Sequence, residues 1–182
     1  EQPNVVPVSA VLFRGNPNSP GHKVTPSELA VIAQIGQPPS LPVNEPDRTT
    51  TGRRIAYARH LTDGHHPLTA RVFVNRIWQH HFGRGIVETP GDFGLNGEPP
   101  SHPELLDWLA ADFVEHGWNQ KRLHRMILLS TVYQQSARRT PEVDAIDPEN
   151  KLLARSNLRR LEAEAVRDFI LATTDDLHLE YG

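Results

Sequence analysis

The sequence predicts an all-α fold, a helical bundle of about five helices with an extended, proline-rich N-terminal arm, together one globular unit. Three observations point there. Apolar residues recur at helical spacing in several segments beyond Thr51. Nine of the sixteen prolines fall within residues 1–50. Strand-like composition is confined to one short run, Val8 to Phe13.

Each proline removes a backbone donor and fixes φ, so residues 1–50 cannot form one long helix. They are expected to lie as an arm packed on a helical domain of residues 51–182. Within the arm, Val8 to Phe13 reads as a short strand or extended segment. The stretch from Asn16 to Gly21 carries turn chemistry, and Ser27 to Ile35 suits a short helix. Beyond Thr51, a first helix around Ile55 to Leu61 stops at Thr62-Asp63-Gly64. A second runs from Pro67 to Phe82, with Val74, Ile77, Trp78 and His81 at helical spacing. Proline at its start and Gly83 after its end match the usual asymmetry of helix termini. Residues 84–100 read as a loop rich in glycine and proline.

Ser101, followed by Glu104 with Pro103 between, has the pattern of a capping box. The helix behind it is expected to bury Leu105, Leu106, Trp108, Leu109 and Phe113, and Gly117 ends it. Asn119 is the expected cap of the next helix, whose buried face is Leu123, Met126, Ile127, Val132 and Tyr133. The last helix is expected to start near Asn157 and to bury Leu158, Leu161, Ala165, Phe169 and Ile170.

The chain has 182 residues and 37% hydrophobic content, enough for one self-supporting core. Its formal net charge of -3 favours neither nucleic acid nor an anionic membrane as a bulk partner. The absence of cysteine excludes disulfides, thiolate metal sites, a cysteine nucleophile and a covalently attached c-type haem. No apolar run reaches the roughly 18 residues of a membrane span. The chain begins Glu1-Gln2-Pro3, which reads as a processed product or an excerpt of something longer.

The candidate ligand-binding residues are Arg71, Asn75, Arg76, Glu88, Asp92, His102 and Glu104. Arg71, Asn75 and Gln79 form a polar stripe along the second helix, with Arg76 and Arg84 adding charge. Such a stripe can grip a carboxylate, sulfate or phosphate, or tie the helix to the carbonyls of the following loop; the second role is favoured, for Arg71 in particular. The 83–100 loop matches no phosphate-binding pattern. Its length makes Glu88, Asp92 and Asn96 the first polar residues to test. The histidines at 65–66, 80–81 and 102 invite a metal, with His80 and His102 as the candidates. Adjacent histidines on a helix point about 100° apart, however, and no metal motif is present, so the sequence assigns no metal. Arginine-rich spots at 53–54, 121–125, 138–139 and 159–160 are interleaved with acids and argue against a nucleic-acid footprint.

Two long stretches carry a resemblance, VFVNRIWQHHFGRGIVETPGDFG (72–94) and HPELLDWLAADFVEHGWNQKRLHRMILLSTVYQQS (102–136). With VLFRGNPNSPGHKV (11–24) and LRRLEAEAVRDFILA (158–172), the chain resembles the planctomycete domain of unknown function numbered fifteen fifty-three. That family lies near the C-terminus of large exported proteins, which often carry a cytochrome-c-like module. The resemblance implies export, a periplasmic or surface-associated setting, and participation in polysaccharide use. It supplies no catalytic residues. Lacking a Cys-x-x-Cys-His motif, this chain is expected to hold no cofactor, any haem belonging to another region. The chain also stops soon after the last predicted helix, where the family's domain is expected to continue.

The first expectation is therefore an accessory or binding module of a larger exported bacterial protein, contacting other domains of that protein or a glycan. One alternative is a carbohydrate-active enzyme domain with its site around residues 83–104. Another is an anion or nucleic-acid binder using Arg71, Arg76 and Arg84.

Overall fold

The computed structural model describes residues 8–178 except 37 and 46. Helices dominate it. Strands β1 (Ser9–Leu12) and β2 (Pro20–Val24) pair as an antiparallel hairpin, Ser9 opposite Val24, with an irregularity between Ala10 and Leu12. The reversal between them uses a single 3₁₀ turn, Arg14 at φ 49° and Gly15 at φ 74°. An Asx turn follows in which Asn16 Oδ1 accepts the Asn18 amide at 3.0 Å. The second strand was invisible in the sequence because Pro-Gly-His-Lys lacks β-branched composition. After α1 (Ala30–Ile35), the chain meets α2 (Arg53–Thr62), where Arg53 donates to the carbonyls of Pro42 at 3.3 Å and Val43 at 3.1 Å.

The core is built by α3 (Thr69–Phe82), α4 (Pro103–Glu115) and α5 (Gln120–Leu128). Ala70, Val74, Ile77, Trp78 and Phe82 form the buried stripe of α3. They meet Leu106, Leu109 and Phe113 of α4, Leu123 and Ile127 of α5, and Ile86 and Val87 of the loop after α3. Trp78 stacks on Phe82 with ring centroids 4.2 Å apart. Gly83 ends α3 at φ 81°, its amide reaching the Gln79 carbonyl at 2.7 Å, the left-handed exit that glycine makes easy. Asp112 of α4 takes Arg122 of α5 at 2.8 and 3.2 Å. That hydrogen-bonded guanidinium holds the Asp112 carboxyl below the usual carboxylate range. Asn119 caps α5 as expected, accepting the Arg122 amide at 3.0 Å. Asn119→Ala should cost about 1 kcal/mol in a denaturant melt, with the core otherwise unchanged.

Two expectations for α4 are corrected. Its cap is His102, not Ser101. Ser101 instead turns to the loop, its amide and hydroxyl both donating to the Ile86 carbonyl at 2.9 and 3.2 Å, so no capping box forms. Trp108 is 55% exposed. At about 100° per residue, the buried set Leu106, Leu109, Ala110 and Phe113 centres on a face to which Trp108 is nearly opposite.

The C-terminal third also departs from expectation. The helix capped by Asn119 ends at Leu128, so Val132 and Tyr133, expected on its buried face, fall on the short helix α6 (Thr131–Gln134), Val132 half-buried and Tyr133 exposed. After it come α7 (Pro141–Ile146) and an irregular stretch, and α8 runs only over Ala163–Thr173. Asn157, expected at the start of a helix, donates through Nδ2 to the Phe82 carbonyl at 3.2 Å, and Arg159 donates to the His80 carbonyl at 2.6 Å. The open carbonyls at the C-terminal end of α3 thus capture this segment and hold it out of helix. Leu158, Leu161, Ala165, Phe169 and Ile170 are exposed rather than buried. Ala165, Phe169 and Ile170 share one side of α8 and Leu158 and Leu161 precede it, but no core element of the described residues lies over them.

Candidate functional site

The polar stripe of α3 divides by role. Asn75 is fully buried, and its carboxamide clasps Val87, Nδ2 donating to the carbonyl and Oδ1 accepting the amide, both at 2.9 Å. Gly85 completes this clasp, since a Cβ there would lie 2.8 Å from Asn75 Nδ2 and strike the Val87 carbonyl. Arg71 links Asp107 of α4 and the Pro67 carbonyl, each at 2.6 Å. Arg76 is exposed on the outer side of the helix. The loop is internally tied. Asp92 Oδ1 accepts the Gly94 amide at 2.8 Å, its carbonyl accepts from the Thr89 hydroxyl at 2.8 Å, and Glu88 pairs with Arg84 at 3.3 Å. Glu104 is exposed in the first turn of α4, and His102 Nδ1 lies 2.9 Å from Ser101 Oγ.

A cavity of about 510 Å³ does open at this loop, between Arg71, Phe93, Leu95, Pro99 and Leu106. Its carboxylates are Glu98 and Asp107, and Asp107 is engaged by Arg71. Glu88, Asp92, His102 and Glu104 are not among the residues lining it, nor are Asn75 and Gln79.

A larger cavity, about 580 Å³, lies at the C-terminal end of α3. Five guanidinium groups line it: Arg84, Arg139, Arg155, Arg159 and Arg160. The sequence marks Arg84 as an anion-binding candidate beside the α3 stripe and Arg139, Arg159 and Arg160 as arginine-rich spots among acids, and singles out nothing at Arg155, because nothing in their spacing shows that the five converge. Two buried side chains make them converge. Asp147 accepts the amides of Lys151 and Leu152 at 2.9 and 2.7 Å. Asn150 donates to the Arg155 carbonyl at 2.7 Å and to Asn157 Oδ1 at 2.9 Å, and accepts the Arg155 amide at 3.2 Å. The segment so shaped is then pinned to α3 by Asn157 and Arg159.

Three carboxylates stand near the five cations. Asp144 pairs with Arg139 at 2.8 Å and with Arg155 at 3.6 Å, and Glu88 with Arg84. Glu149 pairs with Lys151 at 3.2 Å. The balance stays positive. Arg155 Nε is buried without a hydrogen-bond acceptor among the described residues, whereas Arg84 Nη1 has Glu88 Oε1 at 3.3 Å as an ion-pair contact. Arg160 is exposed and pairs with no described residue. Beside this cavity a smaller one includes His81, Tyr133 and Arg159. His81 Nε2 lies 2.7 Å from His124 Nδ1, and burial, reinforced by His124, pushes the His81 imidazole below its ordinary pKa.

Among the described residues, the group with metal-ligand character is Glu28, His60 and His66. His80 is exposed, and neither it nor His102 belongs to that group. No described helix is long and apolar enough to cross a membrane.

Compared with known proteins, residues 53–182 match the profile of a family described as PSD1, protein of unknown function (DUF1553). No curated protein and no solved structure matches the chain.

Proposed function

Because the chain belongs to the DUF1553 family, whose description records no function, we propose its role from geometry: a non-catalytic module of a larger exported protein that binds an acidic ligand at the arginine-lined cavity. The observation that carries this reading is the convergence of Arg84, Arg139, Arg155, Arg159 and Arg160 on one concavity, where the nearby carboxylates leave an excess of positive charge and Arg160 pairs with no described residue. Planar guanidinium groups match carboxylate, phosphate and sulfate oxygens and keep their charge at any physiological pH. The ligand class is thus an oxyanion-bearing molecule, and an acidic polysaccharide fits both the cavity's size and the setting the family resemblance implies. The contiguous apolar side chains of α8, Val166, Phe169 and Ile170, support the module reading, since exposed patches of this kind mark contact with another polypeptide. Another domain of the parent protein is the partner proposed for that side.

A hydrolase site at residues 83–104 has less support. Glycoside hydrolysis needs two carboxyl groups flanking one bond, and the two in the loop cavity include one already held by Arg71. Calorimetric titration of the folded chain tests the binding reading, using a uronate oligosaccharide, its neutral counterpart, inorganic phosphate and a short oligonucleotide. The acidic saccharide is expected to bind, more weakly as salt rises. Arg160→Ala should lower that affinity about tenfold, equivalent to about 1.4 kcal/mol, with the melting temperature unchanged because Arg160 is exposed. Equal affinity for acidic and neutral saccharides would overturn the proposal. Preference for the oligonucleotide would replace it with the nucleic-acid reading.

A further inference from the structure

We propose that Glu28 Oε2, His60 Nε2 and His66 Nε2 form a binding site for a divalent transition-metal ion of the zinc class, with three protein ligands and an open fourth position. This site uses none of the residues of the arginine-lined cavity and stands independently of it. Its ligands come from three parts of the chain: Glu28 from the segment before α1, His60 from the last turn of α2, and His66 from the turn entering α3. Their donor atoms lie within 4.8 Å of one another. The side chains are only 5%, 9% and 10% exposed, in that order.

The distances within the cluster fit a shared cation better than direct pairing. Glu28 Oε2 is 3.6 Å from His60 Nε2 and 3.9 Å from His66 Nε2. Both are too long for hydrogen bonds. They are slightly longer than the roughly 3.3 Å separating two ligand atoms on a tetrahedral ion with bonds of about 2.0 Å. Glu28 Oε2 and His60 Nε2 are buried with no hydrogen-bond partner among the described residues. Buried polar atoms of this kind are costly to leave unpaired, and one cation satisfies both.

The surroundings orient Glu28 and His66. Glu28 Oε1 is already engaged, accepting from Tyr57 Oη at 3.2 Å and from the Leu29 amide at 2.9 Å, which leaves Oε2 facing the imidazoles. Behind His60, Nδ1 lies 3.8 Å from Asp63 Oδ2, too long for a hydrogen bond. Behind His66, Nδ1 lies 2.8 Å from Thr69 Oγ1 and accepts the amides of Leu68 and Thr69 at 3.3 and 3.2 Å. The metal-free ring therefore carries its proton on Nε2. Binding moves that proton to Nδ1, where Thr69 Oγ1 accepts it at the expense of the two longer amide contacts. A set of two imidazoles and one carboxylate suits zinc and its first-row neighbours rather than calcium or magnesium, which take oxygen ligands. His66 also lines a surface cavity of about 430 Å³ with Arg71 and Asp107, so the cluster borders solvent on that side.

The test uses the whole chain, treated with a chelator, dialysed and titrated with zinc alone, then with cobalt as a spectroscopic probe. One equivalent of zinc is expected to bind and to raise the melting temperature, and cobalt should give the visible absorption of a four-coordinate site. Glu28→Gln preserves an acceptor for Tyr57 and Leu29 while removing the ligating charge. It and His60→Ala should each weaken zinc by more than the roughly 10–100-fold typical of losing an outer-sphere partner. Thr69→Val should fall within that range, while His65→Ala, altering an imidazole 72% exposed beside the cluster, should change nothing. Failure of the folded wild-type chain to take up stoichiometric zinc would overturn the proposal. So would wild-type affinity in both Glu28→Gln and His60→Ala, which would place the bound ion on surface histidines.

Discussion

Asn75→Leu is expected to destabilise the chain severely although it adds apolar surface to an apolar core. Leucine shares asparagine's branching at Cγ and its number of side-chain heavy atoms and has a good helix propensity, so the α3 backbone should accept it. The Val87 amide and carbonyl, by contrast, lose their only described partner in a residue just 2% exposed. Each buried group so orphaned costs roughly 1–3 kcal/mol, giving a total of roughly 2–6 kcal/mol. The loss should appear as a lower denaturant midpoint and as faster hydrogen exchange at the Val87 amide. Asn75→Asp makes a sharper comparison, since Oδ1 can still accept that amide while nothing donates to the carbonyl. An Asn75→Leu cost below about 1 kcal/mol would mean that the 83–104 loop holds its shape without the clasp.

This clasp shows where the sequence was legible. The α3 stripe, the exit at Gly83 and the cap at Asn119 rest on local rules, a period of 3.6 or a side chain reaching three residues along, and all three stand in the structure. Whether Asn75 faced a ligand or the loop depended on where residue 87 returned, which is a tertiary fact. The arginines at 139, 155, 159 and 160 were visible singly. Their convergence depends on Asn150 and Asp147 folding the intervening chain, and on the carbonyls of His80 and Phe82 capturing it. The Glu28, His60 and His66 cluster has no short motif because its ligands sit on three separate pieces of chain. In the last helix only Ala165, Phe169 and Ile170 of the expected set share an apolar side, Leu158 and Leu161 lying before its start, and periodicity says only that a side is apolar, not what covers it. Ser101 failed for a related reason: the Ile86 carbonyl holds both its amide and its hydroxyl on the loop, one residue before the cap position at His102.

The two tryptophans on the core helices should respond oppositely to the same substitution. Trp78 is 7% exposed, stacks on Phe82, and belongs to the cluster joining α3, α4, α5 and the loop after α3. Trp78→Ala removes a large aromatic from a packed site whose neighbours are held by two other helices, so collapse into the space is limited. Its expected cost is about 3–5 kcal/mol, a large fraction of the stability of a domain this size. Trp108, on the far side of α4 and more than half exposed, loses little protein contact on truncation. Trp108→Ala should cost less than about 1 kcal/mol, alanine's better helix propensity offsetting part of the lost area. Chemical denaturation of both variants, followed by circular dichroism because the substitutions alter fluorescence, gives the comparison directly. If both were equally destabilising, Trp108 would have to be covered in solution, and the outer side of α4 would then be a contact surface rather than a solvated one.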